Sequence, residues 1–345
     1  MEYRKLGRTG LTVSALGLGT EHLAPEPEVR SEILRLAVEA GVSYVDLIYI
    51  DPDYWQEFGP IVQPYRKKLA VAAHWGANDS TDVDESQRCF DGILSHLGGY
   101  AEVAMMTMVD SEARWQGWAR ESIARLRRYQ ARGRVGHIGL SGHNESVAIQ
   151  AVESGQIDVL MFPVNLLDHD DDRRQAVHHA CLEQDVGLVA MKPYHGGTLF
   201  RAHDRPSGIT PVQCLHYVLS QAASSVVPGP RTVDEMRATL HYLEATEAEK
   251  EYGAITTDLR NLLAGQCVYC QHCLPCPEGI EIGWLLWLLD YARNGVNDEM
   301  KKWYAGYPIR PSACTECGIC LARCPFGVDI PARLRQVQAT FEAAA

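Results

Sequence analysis

Eight of the eleven cysteines stand in two short runs near the C-terminus, and no other feature of the sequence is as able to do chemistry. Each run brings four thiols close together along the chain, and a proline follows the last cysteine of each. This pattern is typical of bacterial ferredoxins, in which cysteine thiolates hold [4Fe-4S] clusters. The residues are Cys267, Cys270, Cys273, Cys276, Cys314, Cys317, Cys320 and Cys324. We therefore expect two [4Fe-4S] clusters here.

The ferredoxin pattern also predicts how the two runs share their ligands, because the fourth cysteine of each run binds the other cluster in two-cluster ferredoxins. The first run departs slightly, with two residues rather than three before its last cysteine. Zinc is the alternative metal, but a zinc ribbon needs only two C-x2-C pairs and gains nothing from four cysteines in a row. The predicted ligand sets are Cys267, Cys270, Cys273 and Cys324 for one cluster and Cys314, Cys317, Cys320 and Cys276 for its partner.

Length, charge and cysteine usage restrict the class of protein. With 345 residues, 46% of them hydrophobic, the chain can form one large domain and an appendage. We expect a soluble cytoplasmic protein with reduced thiols, since neither a signal peptide nor an apolar stretch of membrane-spanning length is evident. The net charge of -12 argues against nucleic acid or an anionic membrane as a partner. Cys89, Cys181 and Cys214 are expected to be small buried hydrophobes.

Eight short apolar runs recur through the first two-thirds of the chain, and amphipathic stretches with helical spacing lie between them. This alternation predicts an α/β fold, a (β/α)8 TIM barrel over residues 1–245. A doubly wound open sheet is the alternative, but no Gly-x-Gly-x-x-Gly follows the first strand. Residues 3–14 are expected to form a hairpin that closes the barrel bottom. The predicted strands are 13–19, 43–48, 69–75, 100–107, 135–140, 157–163, 186–191 and 224–227.

The pattern changes at about residue 246, where helix-forming residues lead into the cysteine runs. Residues 246–345 are expected to be a helical, ferredoxin-like iron-sulfur domain. Between the runs, 280–293 is apolar around much of its circumference and is predicted to be a helix, with a second helix at 297–305. Such helices would shield the clusters from water, which helps to set their potential.

Five segments of the sequence resemble the aldo-keto reductases in order and spacing. They are residues 3–20, 133–144 (GRVGHIGLSGHN), 163–168 (PVNLLD), 186–199 (VGLVAMKPYHGGTL) and 226–236. The C-terminal part is similar to the ferredoxin-like extension of a subgroup of that family. The resemblance implies a barrel that binds NADP(H) or NAD(H) at the C-terminal strand ends, passes a hydride to or from a carbonyl, and supplies the proton from a tyrosine.

The resemblance also implies a catalytic tetrad, and this chain matches it only in part. Asp46 fits the family aspartate. Tyr54 is our choice for the tyrosine, although Tyr49 also flanks the expected position. The lysine position holds His74, which could polarise a phenol or act alone, since an unperturbed histidine has a pKa of about 6.5. The histidine position holds Thr107. Catalytic roles are therefore predicted for Asp46, Tyr54 and His74.

The nucleotide site implied by the resemblance is also partly kept. Ser141 and Asn165 match positions near the nicotinamide carboxamide, and Lys192 could meet a substrate or cofactor anion. Gly229 and Arg231 lie between a strand end and a helix opened by a capping box, where backbone N–H groups and a guanidinium suit a phosphate.

Three functions remain open from the sequence. The first, our working hypothesis, is an oxidoreductase in which a nicotinamide cofactor acts on a small carbonyl or hydroxyl compound and the clusters relay electrons to or from a redox partner protein. The second is a redox-neutral lyase or isomerase that uses Asp46, Tyr54 and His74. The third is an electron-transfer subunit whose barrel is a docking scaffold.

Overall fold

The computed structural model describes residues 1–49, 51–76, 81–169, 171–203 and 205–342. The chain forms two compact units, each made of two stretches of sequence. Met1–Gly196 and Ile209–Tyr252 form the first, and Gly197–Gly208 and Gly253–Ala345 form the second. The sequence pattern changes at residue 246, whereas the compact units change at Gly253 and also at the short stretch 197–208.

Most strands are short and buried on both faces, which is why they read as continuous apolar runs rather than as alternating patterns. Each of the eight predicted strand segments contains a strand. The strands are β1 (Tyr3–Lys5), β2 (Thr12–Ser14), β3 (Leu18–Gly19), β4 (Tyr44–Leu47), β5 (Ala70–Trp75), β6 (Ala101–Met106), β7 (Val135–Ser141), β8 (Val159–Pro163), β9 (Gly187–Met191), β10 (Arg201–Ala202), β11 (Arg205–Pro206) and β12 (Ser225–Val226).

Eight of these strands are parallel neighbours in the order β3-β4-β5-β6-β7-β8-β9-β12. The two ends of the sheet approach each other where Leu16 bridges Val226 and the Gly17 N–H donates to the Val226 carbonyl at 2.8 Å. The sheet is therefore a nearly closed barrel, as the alternation of strands and helices predicted. All C-terminal strand ends meet at one mouth, where enzymes with this fold keep their chemistry.

The barrel interior is filled with side chains and is closed at the bottom by the β1–β2 hairpin. Leu6 and Val13 of the hairpin segment pack in one buried cluster with interior residues such as Tyr44 and Val103. Gly7 adopts a positive φ of 50°, and a Cβ there would lie 2.3 Å from the Gly187 nitrogen at the start of β9. Only glycine permits this close approach, so the expected position of the hairpin is confirmed.

Helices follow the barrel strands and make up most of the second unit. The predicted helices 280–293 and 297–305 are confirmed, and within the described residues no helix is long and apolar enough to cross a membrane. The helices are α1 (Pro27–Glu39), α2 (Pro52–Val62), α3 (Val83–His96), α4 (Glu112–Arg114), α5 (Arg120–Ala131), α6 (Glu145–Glu153), α7 (Asp172–Glu183), α8 (Pro211–Leu219), α9 (Val233–Leu240), α10 (Glu247–Lys250), α11 (Gly253–Leu262), α12 (Ile282–Tyr291), α13 (Asp298–Gly306), α14 (Ile319–Arg323) and α15 (Ile330–Glu342).

Candidate functional site

Three polar side chains at the mouth form a hydrogen-bonded chain across neighbouring strands. Asp46 lies in β4, His74 in β5, and Thr107 directly follows β6. The His74 Nε2 atom lies 2.8 Å from Asp46 Oδ1, and its Nδ1 atom lies 2.8 Å from Thr107 Oγ1. All three residues are buried, with exposed fractions of 5% or less. Buried polar groups that are all hydrogen-bonded form a rigid network. This network lies at the strand ends, where enzymes with this fold keep their catalytic residues.

The bonding partners indicate where the protons of His74 lie. An ionised carboxylate can only accept, so Nε2 carries a hydrogen that it donates to Asp46. In neutral His74, Nδ1 therefore accepts from the Thr107 hydroxyl. When His74 is doubly protonated, Nδ1 donates to Thr107, and the hydroxyl hydrogen of Thr107 is free to point at a ligand. These three residues can thus pass a proton from His74 through Thr107 to a ligand oxygen, while Asp46 stabilises the imidazolium.

Tyr54, the predicted proton donor, lies close to this chain but is not bonded to it. Its hydroxyl is buried, lies near Thr20 and makes no hydrogen bond of good geometry. Thr20 in turn donates from Oγ1 to the Asp46 carbonyl at 2.8 Å. Burial raises the pKa of the Tyr54 phenol well above its ordinary value, although the Arg30 guanidinium, stacked on the ring at 4.8 Å, opposes this. Burial thus makes Tyr54 a weaker acid.

A second chain of titratable groups lies on the loops that leave β6, β7 and β9. The His143 Nδ1 atom lies 3.0 Å from Asp110 Oδ2, and the His143 backbone N–H donates to the same carboxylate. Lys192 donates from Nζ to His143 Nε2 at 2.9 Å. Lys192 was predicted from the sequence to meet an anion. Here its ammonium lies against the His143 imidazole, and its contact with an anion stays a prediction.

The pKa values of two of these groups move in the directions that burial and bonding dictate. Burial lowers the pKa of the Lys192 amine, and the carboxylates of Glu21 and Asp110 only partly oppose this. For Asp110, burial would raise the pKa, but the side-chain and backbone bonds from His143 outweigh it and hold the pKa below its ordinary value. This group of three residues therefore carries a negative charge at Asp110, and the ammonium of Lys192 gives up its proton more readily than that of an ordinary lysine.

Ser141 and Asn165, predicted near a nicotinamide, are both buried at the ends of β7 and β8. The Ser141 hydroxyl accepts from the Met108 N–H at 3.3 Å, which ties down the loop after Thr107. Asn165 caps the turn after β8, since its Oδ1 accepts from Leu167 N at 3.1 Å. Its amide nitrogen lies 3.5 Å from Nδ1 of His195. Both side chains are therefore fixed in place at the barrel mouth.

Gly229 and Arg231 lie beyond β12, at the entrance to α9. A Cβ at Gly229 would lie 3.6 Å from the His22 ring and 3.8 Å from the Gly19 carbonyl oxygen, which are ordinary van der Waals distances. Arg231 is exposed, and its backbone N–H donates to Glu235 at 2.6 Å. Thr232 caps α9 by accepting from Glu235 N at 3.2 Å. The exposed guanidinium suits a phosphate, but the Arg231 backbone N–H is already bonded to Glu235, so phosphate binding here stays a prediction.

The eight predicted cluster cysteines line two separate recesses in the second unit. Each recess takes three cysteines from one run and the fourth from the other. One recess is lined by Cys267, Cys270, Cys273 and Cys324, and the other by Cys276, Cys314, Cys317 and Cys320. This grouping coincides with the ligand sets expected from the sequence.

Neighbouring cysteines also affect one another within these groups. Burial raises the pKa of the Cys267 thiol to about 12, and Cys270 and Cys324 contribute to this shift. In the described part of the chain, however, no group of three or more His, Cys, Asp or Glu side chains is arranged to hold a metal ion. The iron-sulfur clusters therefore stay a prediction that rests on the composition of the two recesses.

Sequence reasoning left three of these polar residues out of the predicted site. Thr107 was noted only as the residue that replaces a histidine, and Asp110 and His143 were not singled out. Their positions in the sequence could have indicated them, because each of these residues shortly follows the end of a parallel strand, where side chains converge on the barrel mouth. Among the remaining cysteines, Cys181 and Cys214 are buried as expected, and Cys89 is partly exposed.

Comparison with known proteins places the barrel in a family. No curated protein matches the chain significantly in sequence. An aldo-keto reductase from Bacillus halodurans, in its holo form, is similar in structure, with a TM-score of 0.61, 19% identity, and coverage of 76% of this chain and 96% of that one. A Pseudomonas aeruginosa structure described as an aldo-keto reductase has a TM-score of 0.55 and 20% identity, covering 70% and 96% of the two chains. The family model described as "Aldo/keto reductase family" matches residues 15–213. The chain is a member of the aldo/keto reductase family and thus an oxidoreductase of that type.

Proposed function

We propose that the chain transfers a hydride between a nicotinamide cofactor and a small carbonyl or hydroxyl compound at the barrel mouth, and relays electrons through two [4Fe-4S] clusters. The observation that carries this proposal is the Asp46–His74–Thr107 chain at three adjacent strand ends. Carbonyl reduction needs a proton donor beside the oxygen that receives negative charge, and a buried, hydrogen-bonded imidazole supplies one.

The proton path that the geometry favours runs through Thr107 rather than Tyr54. The Thr107 hydroxyl donates to the substrate oxygen and takes a replacement proton from His74 Nδ1. Asp46 is bonded to Nε2 and stabilises the protonated imidazole until this transfer occurs. In the oxidative direction the same groups accept the proton of the alcohol. Tyr54 is better assigned to packing, because its hydroxyl has no hydrogen-bond partner in the described structure.

The residues present fit a nicotinamide nucleotide. The exposed guanidinium of Arg231, close to Gly229 in the chain, would hold phosphate, and Ser141 and Asn165 would face the nicotinamide amide group. When bound, the nicotinamide supplies or accepts the hydride. The chain itself orients the carbonyl and moves the proton.

The cysteine recesses support the cluster part of the proposal. Four thiols in each recess match the ligand number of a [4Fe-4S] cluster. Apolar side chains such as Leu286 and Ile330 line the first recess, and Ile282 and Leu334 line the second. An apolar surrounding of this kind limits water access and tunes the reduction potential. A protein redox partner would then exchange electrons with the clusters.

Nicotinamide binding tests the proposal most directly. The anaerobically purified holoprotein should bind NADPH or NADH in a fluorescence titration. Arg231→Leu should raise the Kd about tenfold, equivalent to about 1.4 kcal/mol. Arg237→Leu is the matched control, because Arg237 is exposed on the next helix and pairs with Asp234 rather than with a ligand.

Turnover is then measured with sugars, 2-oxo acids and aldehydes, with and without an artificial electron acceptor. Absence of nicotinamide binding by the wild-type holoprotein would refute the proposal. That result would favour the electron-transfer subunit, which would in turn be supported by recovery of a stable complex with a redox protein.

A further inference from the structure

The Asp110–His143–Lys192 chain is not needed for the hydride transfer proposed above, yet it lies on the same barrel mouth. Asp110 follows Thr107 by three residues, so the second hydrogen-bonded chain begins in the loop that directly follows the first one. The first runs along the ends of β4, β5 and β6, and the second along the loops after β6, β7 and β9. One rim thus carries two separate groups able to move protons.

The bonding order of the second chain determines where its protons lie. Lys192 donates to His143 Nε2, so His143 Nδ1 carries the hydrogen that it donates to Asp110. When the proton of Lys192 moves onto His143, the carboxylate stabilises the resulting imidazolium. Lys192 is then a neutral amine, which is the form that acts as a base.

The backbone is shaped to hold this arrangement. Lys192 has a φ of 56°, a left-handed conformation that is uncommon for a residue other than glycine. Gly142 precedes His143, and a Cβ there would lie 2.8 Å from the Val109 carbonyl oxygen and 3.0 Å from Asp110 Oδ1. Only glycine therefore lets the β6 and β7 loops approach closely enough for His143 to contact Asp110. Strain of this kind is often found at functional sites.

The surroundings of the amine lower its pKa. Burial is the largest influence and acts against the charged ammonium, and the Arg174 guanidinium acts in the same direction. Glu21 and Asp110 act in the opposite direction. The acceptor that Lys192 contacts is an imidazole nitrogen, which stabilises an ammonium far less than a carboxylate would.

We propose that Lys192 is a catalytic base that removes a proton from the carbon next to a carbonyl group, so that the barrel enolises small hydroxy ketones and hydroxy aldehydes. The C–H bond breaks, its proton moves to Nζ, and its electron pair forms the C=C bond of the enediol. The carbonyl oxygen receives a proton from Thr107, which His74 replaces. Lys192 then returns its proton to the neighbouring carbon while the other hydroxyl group of the enediol gives its proton through Thr107 back to His74, which completes an aldose–ketose isomerisation in which nothing is oxidised.

This activity goes beyond the proposed hydride transfer and shares with it only the oxygen-side groups Thr107 and His74. His143 and Asp110 are positioning residues, because they act through Lys192. Enolisation requires no nicotinamide, so its failure and the failure of the proposed function can be told apart. The holoprotein could bind nicotinamide without enolising a carbonyl compound, or enolise one without binding nicotinamide.

Hydrogen exchange with solvent tests the inference without knowledge of the natural substrate. The holoprotein is incubated in D2O, with no nicotinamide, with dihydroxyacetone, hydroxyacetone or glyceraldehyde, and deuterium at the carbon beside the carbonyl is followed by NMR. Lys192→Met should lower the exchange rate at least 100-fold. Lys192→Arg should lower it similarly, because a guanidinium keeps the charge but cannot act as a base.

His143→Gln keeps a hydrogen-bonding side chain but has no ionisable ring. The dependence of the exchange rate on pH should therefore differ between this variant and the wild type. Lys302→Met and His179→Asn, at exposed positions, are the matched controls and should catalyse exchange of the probe at the wild-type rate. Thermal unfolding of each variant confirms that it is folded. The inference is overturned if the wild type exchanges none of the three probes faster than buffer, or if a folded Lys192→Met variant keeps its rate.

Discussion

The carboxylate of Asp46 lies 2.8 Å from Nε2 of His74, and both side chains are buried where two neighbouring barrel strands end. The imidazole links the two ends of the hydrogen-bonded chain, because one ring nitrogen faces Asp46 and the other faces Thr107.

Asp46→Asn should lower carbonyl turnover by 10² to 10⁴-fold. The amide is similar in shape, but it is uncharged and can donate as well as accept, so it no longer stabilises the protonated imidazole or enforces its proton positions. Single-turnover oxidation of NADPH with the best carbonyl substrate is the measurement. A rate constant within threefold of the wild type would contradict the assignment of Asp46.

Replacement of Thr107 separates its hydroxyl from its shape. Thr107→Val should abolish proton delivery and lower turnover about 100-fold or more. It should also lower the free energy of unfolding by about 1–3 kcal/mol, because Nδ1 of buried His74 loses its partner. Thr107→Ser keeps the hydroxyl and should retain most activity. Equal activity of the valine and serine variants would exclude Thr107 from the proton path.

Tyr54→Phe distinguishes our assignment from the family's tyrosine mechanism. We expect turnover within about threefold of the wild type, since the phenol is a weakened acid without a hydrogen-bond partner. The free energy of unfolding should change by less than about 1 kcal/mol, because no hydrogen bond is lost. Steady-state kinetics measures turnover, and urea denaturation measures the free energy of unfolding. A loss of 100-fold or more would restore Tyr54 as the proton donor.

His178 in α7 should make the protein sensitive to mild acid. Burial lowers its pKa from 6.5 to about 4, with Arg174 and His179 acting in the same direction. Between these values the unfolded chain binds a proton that the folded chain excludes. Stability is therefore lost as the pH falls from about 6.5 to about 4, by on the order of 3 kcal/mol in total.

The measurement is the free energy of unfolding at pH 7.5, 5.5 and 4.5 for the wild type and for His178→Phe. The phenylalanine variant should lose less stability over this range, because it has no buried ring to protonate. Exposed His203→Asn, which does not act on His178, should follow the wild type. Identical pH dependence of all three proteins would show that His178 is not the group responsible.

The sharing of cysteines between the runs predicts which substitutions damage the same cluster. Cys324→Ser should alter the same electron paramagnetic resonance signal as Cys267→Ser, although these residues belong to different runs. Cys276→Ser should instead resemble Cys314→Ser. Cys89→Ser, outside both recesses, should leave iron content and spectra unchanged. If each substitution affected only the signal of its own run, the exchange of ligands would be wrong.

The fold could be predicted from the sequence because its signals are local and repeated. Strands buried on both faces produce apolar runs, and the intervening helices keep a helical period, so eight repeats identify the barrel without long-range information. The first strand was less regular, because residues 13–19 contain the end of the hairpin strand β2 and the start of the barrel strand β3. Periodicity alone does not separate two strands that follow so closely.

The candidate site was harder to predict, because its members come from distant parts of the chain. Asp46 and His74 were recognised by position within a family pattern. The second chain has no such pattern, since Asp110, His143 and Lys192 meet only when three loops fold over the mouth. The grouping of Cys324 with the first cysteine run could be predicted because ferredoxin motifs already encode that exchange.

The stretch 197–208 carries the small β10–β11 hairpin and belongs to the second compact unit. In the sequence, however, it lies between β9 and α8 of the barrel. Within that unit the His203 N–H donates to the side chain of Gln266, just before the first cysteine run. The C-terminal unit is therefore not a cassette that can be cut off after Tyr252 or fused to another barrel. A truncated chain would keep a hairpin deprived of its packing partners, and a transplanted tail would lack one of its own pieces.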